Sequence, residues 1–140
     1  MLLKLVPFIR TVGIEIGTIE SGRATATLPS RHEVHNHIGT AHAGALYTLG
    51  ETATGGVVLW MFADQLPKGG FVALKSAVVA HTKAAPGDVL ATATLSGEPE
   101  KVRSTYDETG KVDFDVEVRF TVGEIEVANI TYRWAVRAPR

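Results

Sequence analysis

The sequence predicts an α+β fold, an antiparallel sheet of about six strands wrapped around one long central helix. Three observations predict it. The longest apolar run in the chain is Asn36 to Phe62, and after His42 its composition is helical. The second half of the chain repeatedly alternates apolar and polar residues, the period of a half-buried strand. The helical run is apolar nearly all round, whereas most strands are apolar on one face only, as expected of a helix enclosed by a sheet.

The elements follow in order. Leu2 to Phe8 holds one or two short helical turns, limited by Pro7. Thr11 to Glu20 alternates, with Val12, Ile14 and Ile16 on one face, and Gly17 marks a bulge before Ile19. Ser21-Gly22 is a turn, and Ala24 to Leu28 alternates again, completing a hairpin. Pro29 to Ala41 has no period and reads as a loop. His42 to Ala63 reads as the central helix, although Gly44, Gly50, Gly55 and Gly56 each weaken it by roughly 1 kcal/mol relative to alanine. So many glycines imply that something packs close to the helix backbone.

Asp64 to Gly70 is a loop. Phe71 to Lys83 reads as a strand with Val72, Leu74, Val78 and Ala80 on one face and Lys75, His81 and Lys83 on the other. After the turn at Ala84 to Asp88, Val89 to Leu95 is β-prone. Gly97 to Gly110 reads as a polar stretch ending in a turn. Phe114 to Val122 is the cleanest strand, and Ala128 to Val136 alternates after the tight turn at Gly123-Glu124. With no internal repeat or linker, residues 1–140 form a single domain in the order ββαββββ. That arrangement is the hotdog architecture. Its sheet edges remain open in a monomer, which predicts a homodimer or a dimer of dimers.

Composition removes several function classes. Fourteen basic and 15 acidic residues give a net charge of −1, so nucleic acid and anionic membrane have no electrostatic footing as partners. Cysteine is absent, which excludes disulfides, thiolate metal sites and a cysteine nucleophile and fits a cytoplasmic location. The opening segment MLLKLVPFIR lacks the small-residue cleavage pattern of a signal peptide. The run from Ala43 to Ala63 is long enough to span a membrane, but Glu51 and its threonines and glycines argue against one.

Glu51 is the residue that needs a reason. A lone carboxylate on an apolar helix is costly to bury, and burial raises its pKa and its basicity. The alternative is a structural carboxylate paired with a buried base. At the start of the same helix, the first-turn amides lack intrahelical partners and carry the positive end of the dipole. Small residues there, Ala43 and Gly44, let a substrate carbonyl approach, an oxyanion-type site worth ~3–4 kcal/mol. Glu51 lies about 13 Å further along, too far to serve the same substrate within one subunit.

The pattern Asn36-x2-Gly39-Thr40-x-His42-Ala43-Gly44, with Glu51 nine residues after His42, resembles the signature of hotdog-fold acyl-CoA thioesterases of the phenylacetate-degradation type. These carry N-x-x-G-x-x-H-G-G followed by an aspartate or glutamate at the same distance. The phrase NHIGTAHAGALYTLGE is similar to a branch of that superfamily without an assigned substrate. The resemblance implies hydrolysis of an acyl-CoA to free acid and CoA at a dimer-interface site. The Ala43 N–H would polarise the thioester carbonyl, Glu51 of the opposite protomer would act as general base or nucleophile, and Asn36 would orient water or thioester, the alternative for Asn36 being a turn-building or helix-capping role in the loop. His42 is a candidate catalytic residue, its alternative being a capping or packing role at the helix start, and Gly39 and Gly44 would shape the backbone around the substrate.

There are departures. Ala43 replaces the first glycine of H-G-G but still donates its amide. Some relatives carry a hydroxyl one turn after the carboxylate or on the next strand, positions held here by Gly55 and Ala73; Thr52, Thr54 and Ser76 are the substitutes to consider. For the phosphates of CoA, Lys68, Lys75, His81, Lys83, Lys101 and Arg103 are available, with Lys83 the leading choice. No cofactor is implied. His32, His35, His37 and His42 raise a metal reading, but no later ligand set accompanies them. A non-catalytic acyl-CoA or lipid-binding role is the alternative, and a hydratase ranks last because no aspartate lies between Pro29 and Ala63.

Overall fold

The structure is a computed structural model describing residues 1–140. Two short helices, α1 (Leu2–Leu5) and α2 (Phe8–Val12), precede the hairpin of β1 (Glu15–Glu20) and β2 (Arg23–Leu28). The long helix α3 (Ala43–Phe62) follows. Then come β3 (Phe71–His81), β4 (Val89–Leu95), helix α4 (Pro99–Thr109), β5 (Lys111–Val122) and β6 (Ile125–Arg137). All strand pairs are antiparallel, in the sheet order β1-β2-β4-β5-β6-β3. The six expected strands are present, two before and four after α3, with the additional helix α4 between β4 and β5, and the sheet encloses α3. No helix is long and apolar enough to cross a membrane.

The alternation in β4, β5 and β6 explains the curl. Val89, Ala91, Ala93 and Leu95, then Val116, Val118 and Phe120, then Ala128, Ile130, Tyr132 and Val136 all turn inward and are buried. Under α3 the sheet places small residues, Ala24 opposite Ala93 and Ala26 opposite Ala91. The predicted close approach is real at two of the four glycines. A Cβ on Gly50 would overlap the Tyr132 hydroxyl and the Phe120 ring, and one on Gly56 would crowd Ala24 and Ile19. Gly55 and Gly44 meet no sheet residue.

Three expectations need correction. Val12 belongs to α2, and the first strand begins only at Glu15; the α2 C-cap Gly13 has φ +81°, which breaks the extended run. The expected bulge between Ile16 and Ile19 is present. Gly97 to Gly110 is mostly helix rather than a polar stretch. Pro99 sits in its first turn and Gly110 closes it at φ +74°, the usual asymmetry of helix ends. Only Val102 and Tyr106 of α4 are buried, so its apolar stripe is too thin to register as a period.

The third correction concerns β3. Its pairing with β6 shifts between Leu74 and Ser76, so Lys75 is bulged and the faces exchange beyond it. Val78 is therefore 75% exposed instead of sharing the face of Val72 and Leu74. Helix α4 is fastened to the end of α3 by Arg103. Its guanidinium donates to both carboxylate oxygens of Asp64 at 2.8 and 2.9 Å and to the Met61 carbonyl at 2.8 Å, and it lies over the rings of Phe62 and Tyr106. That pairing holds Asp64 well below the usual carboxylate range.

Candidate active site

The loop from Ser30 to Ala41 sets the position of the α3 N-terminus. The Ser30 amide donates to Asp88 Oδ1 at 2.7 Å, the Ala41 amide to the Ala85 carbonyl at 3.0 Å and the His42 amide to the Val34 carbonyl at 2.9 Å. Asn36 organises the tip. Its Oδ1 accepts from the amides of Ile38 at 3.1 Å and Thr40 at 3.0 Å, and its Nδ2 donates to Thr40 Oγ1 at 2.9 Å and to the Ala41 carbonyl at 3.4 Å. Gly39, at φ +78°, makes the turn inside this ring of bonds. The Asn36 side chain is thus occupied by its own loop, which favours the turn-building role over direct orientation of water.

His42 is the N-cap of α3. Its Nδ1 accepts the Gly44 amide at 2.8 Å, so the ring proton of a neutral imidazole sits on Nε2. The cap satisfies one first-turn donor and leaves another alone: the Ala43 N–H donates to no group in the chain. Ala43 is exposed and lines a cleft of about 380 Å³ together with Asn36, Thr40, His81 and Lys83. A free amide, a helix dipole and a lysine converge there on a surface suited to an electron-rich carbonyl and an anionic tail.

Glu51 opens elsewhere. It lines a separate apolar cavity of about 340 Å³ with Leu2, Val6, Gly55, Ala73 and Trp134 among its walls, and it is the only ionisable residue there. No residue donates a hydrogen bond to its carboxylate and no basic residue pairs with it, so the structural-ion-pair alternative has no partner in this chain. Burial pushes the Glu51 carboxyl up, and the Glu51 charge adds to burial in raising Tyr47. Tyr132, almost wholly enclosed, is raised further by burial and then by Tyr47 and Glu51; its hydroxyl donates to the Tyr47 carbonyl at 2.7 Å.

The predicted residues therefore fall into two groups within one chain. Asn36, Gly39, His42, Ala43, Gly44 and Lys83 gather about the start of α3, while Glu51 and Ala73 face the cavity further down. The proposed substitute hydroxyls do not reach Glu51. Thr52 donates to the Thr48 carbonyl, and Thr54 donates to the Glu51 carbonyl and accepts from Trp134 Nε1, both of them buried. Lys75 is engaged by Asp113 at 2.7 Å and Arg103 by Asp64 and Asp107, which leaves Lys83 better placed than either for an incoming phosphate. The histidines do not converge: His35 bonds Ser30 Oγ, His42 caps α3, and no three His, Asp or Glu residues gather as metal ligands.

A family model described as a domain of unknown function, DUF4442, matches residues 1–136. The chain belongs to that family. No protein of curated function matches it. Among solved structures it is similar to PA5026 from Pseudomonas aeruginosa, described as a probable thioesterase. The TM-score is 0.84 at 24% identity, over 99% of this chain and 91% of that one. It is also similar to a variant of the thioesterase SAV0944 from Staphylococcus aureus, at 0.74 and 20% identity over 94% and 99% of the two chains. A variant of the phenylacetic acid degradation protein PaaI from Thermus thermophilus gives 0.71 and 18% identity over 96% and 100%. These likenesses establish the hotdog fold that the sequence implies.

In this DUF4442 chain the reading from sequence missed most of the cavity wall. Leu2, Val6 and Trp134 come from the two ends of the chain and meet only in the fold. One signal was available. Gly55 stands one turn after Glu51 and lacks a sheet neighbour, so its missing side chain opens space beside the carboxylate.

Proposed function

We propose that this protein hydrolyses an acyl-CoA thioester to the free acid and CoA at a site shared by two protomers. The observation that carries the reading is Glu51: a half-buried carboxylate with no hydrogen-bond donor and no cation, raised by burial, at the rim of an apolar cavity. Such a group is structurally costly and chemically useful. As general base it takes a proton from water, which attacks the thioester carbonyl. As nucleophile it attacks the carbonyl itself and expels the CoA thiolate, forming a mixed anhydride that water then cleaves to the free acid. On either route the C–S bond breaks and the leaving thiolate takes up a proton released by the attacking water. In either case the carbonyl oxygen gains negative charge, and the free Ala43 N–H at the α3 N-terminus stabilises it.

Eight residue steps of helix separate the Ala43 amide from Glu51, about 12–13 Å, so the two act on one substrate only if they come from different subunits. The open edge of β3 supports pairing: Val78 and Val79 are 75% and 43% exposed there, an apolar edge that a second copy would cover. Asn36 then acts by building the loop that presents Ala43, and Lys83 receives the CoA phosphates. The thioesterase descriptions of structural relatives point to the same reaction class.

Thiol release from a panel of acyl-CoAs tests the reading. Wild type should release thiol and Glu51→Ala should not; release at the wild-type rate by Glu51→Ala overturns the mechanism. A second reading is acyl-CoA binding without turnover. It is favoured by the lining of the Glu51 cavity, which contains no serine, threonine or tyrosine to assist the carboxylate. Saturable binding with no thiol release from any acyl-CoA would select it.

A further inference from the structure

We propose that α1 is a hinged wall that closes the Glu51 cavity over a linear, medium-length acyl chain. The inference rests on the acyl-thioester reading for the ligand's head group and on the cavity for its tail.

Helix α1 and its C-cap contribute one side of that cavity through Leu2, Leu5 and Val6, and α3 contributes another through Gly55 and Leu59. Leu2 is the one buried anchor, with Leu3 packing against the core beside it. The Leu2 Cδ1 would stand 3.8 Å from a Cβ at position 55, so the glycine leaves the seat that Leu2 partly fills. Leu5 and Val6 line the cavity yet remain 52% and 41% exposed. Apolar side chains this exposed along the cavity gain contact when it fills.

The attachment of α1 is unlike that of its neighbour. The backbone bonds of residues 1–6 stay local: Lys4 and Leu5 donate to Met1, Val6 donates to Leu2, and Val6 accepts from Ile9. No side chain of residues 1–6 makes a hydrogen bond or ion pair. Helix α2, in contrast, is pinned. Arg31 donates to the Thr11 and Val12 carbonyls at 3.0 and 2.6 Å, and Ile9 is 2% exposed. The change from loose to pinned falls at Val6–Pro7, where Val6 leaves the helix at φ −127° and ψ 87°. Proline holds the α2 side of that joint, and motion of α1 about it breaks only apolar contacts.

Volume sets the tail. An apolar cavity of ~150 Å³ holds a benzene ring, so the present one has room for on the order of a dozen carbons. Among its lining side chains only Glu51 and the Trp134 indole carry a donor or acceptor, and the indole N–H is taken by Thr54. The occupant that fits is an alkyl chain, its thioester end toward Glu51.

The test uses non-hydrolysable S-alkyl-CoA thioethers, S-ethyl, S-hexyl, S-decyl and S-hexadecyl, titrated calorimetrically into the intact protein. Affinity should rise about three- to fourfold per added methylene up to S-decyl-CoA and then stop rising. Gly55→Leu should weaken S-decyl-CoA at least about tenfold more than S-ethyl-CoA. Trypsin cleavage after Lys4 should slow when S-decyl-CoA is bound and not when S-ethyl-CoA is bound. If Gly55→Leu does not fold, Leu2→Ala replaces it and should speed cleavage after Lys4 in the free protein. Affinity independent of chain length, or cleavage indifferent to S-decyl-CoA, overturns the proposal. The two readings fail separately: chain-length-dependent binding without thiol release removes the hydrolase and keeps the wall, and turnover with flat chain-length dependence does the reverse.

Discussion

His42 Nδ1 takes the Gly44 amide at 2.8 Å and leaves the neighbouring Ala43 amide without an acceptor. One ring nitrogen thus ties up one first-turn donor of α3 and leaves the exposed Ala43 N–H available. Ala43 is the first helical residue, a position where proline is well accepted because its missing N–H breaks no helical bond. His42, at φ −65° and ψ 139°, already has the conformation a following proline requires. Ala43→Pro should therefore remove the donor and keep the fold. A loss in kcat of about 10²–10³ with an unchanged melting temperature is expected if this amide stabilises the oxyanion. An unchanged kcat would remove Ala43 from the mechanism.

Glu51 links activity and stability to pH with opposite signs. Burial raises its pKa, so across the window between the ordinary carboxylate value and the raised one the folded chain binds more protons than the unfolded chain. Stability contributed at this site is therefore greatest below the window, falls as pH rises through it and is flat beyond. Glu51→Gln removes the charge that causes the penalty. Its melting temperature should match wild type near about pH 4 and exceed it near about pH 8. Thiol release by wild type should rise through the same window, with its midpoint above the ordinary glutamate value, and Glu51→Gln should lose about 10²–10⁴ in rate.

Asn36 separates loop building from direct chemistry. Asn36→Asp keeps the acceptor that receives the Ile38 and Thr40 amides and loses the donor to Thr40 Oγ1 and Ala41. Asn36→Ala loses both. If the residue works through its loop, Asn36→Asp should retain most stability and activity, while Asn36→Ala should lose about 1–2 kcal/mol in denaturant unfolding and activity with it. Equal loss of activity in both variants, with Asn36→Asp as stable as wild type, would assign the amide a direct part.

Two glycines of α3 should respond to alanine with opposite signs. Gly50→Ala drives a methyl into Tyr132 and Phe120, neither of which has room to move in the core, and should cost about 3 kcal/mol. Gly55→Ala meets only Leu2 at ordinary contact distance and should gain roughly 0.5–1 kcal/mol from helix propensity. Urea unfolding of the two variants reads the difference directly.

The parts of the fold legible in sequence were those with a strong period or a strong contradiction. β5 alternates without interruption and β6 does so from Ala128 to Trp134, and α3 announces itself by length. Glu51 was visible because, after His42, it is the one residue of its run that carries charge near neutral pH. Helix α4 was hidden because Val102 and Tyr106 alone mark its inner face, although Pro99 and Gly110 punctuate its ends. The exchange of faces in β3 is imposed by register against β6, where Leu74 meets Trp134 and Ser76 meets Arg133, and no local pattern encodes it. The cavity wall was hidden for a related reason: Leu2 acquires its partner at Gly55 only through tertiary packing.

Placing Ala43 and Glu51 on one rigid helix has a genetic consequence for the two-subunit reading. Each polypeptide then carries halves of two different catalytic centres. Ala43→Pro and Glu51→Gln would each abolish both centres in a homodimer. In a mixed dimer both lesions would fall in one centre, and the other would be assembled wholly from unaltered residues. Two inactive preparations, unfolded together and refolded, should thus complement each other and regain activity in trans, whereas a site contained within single chains would stay silent.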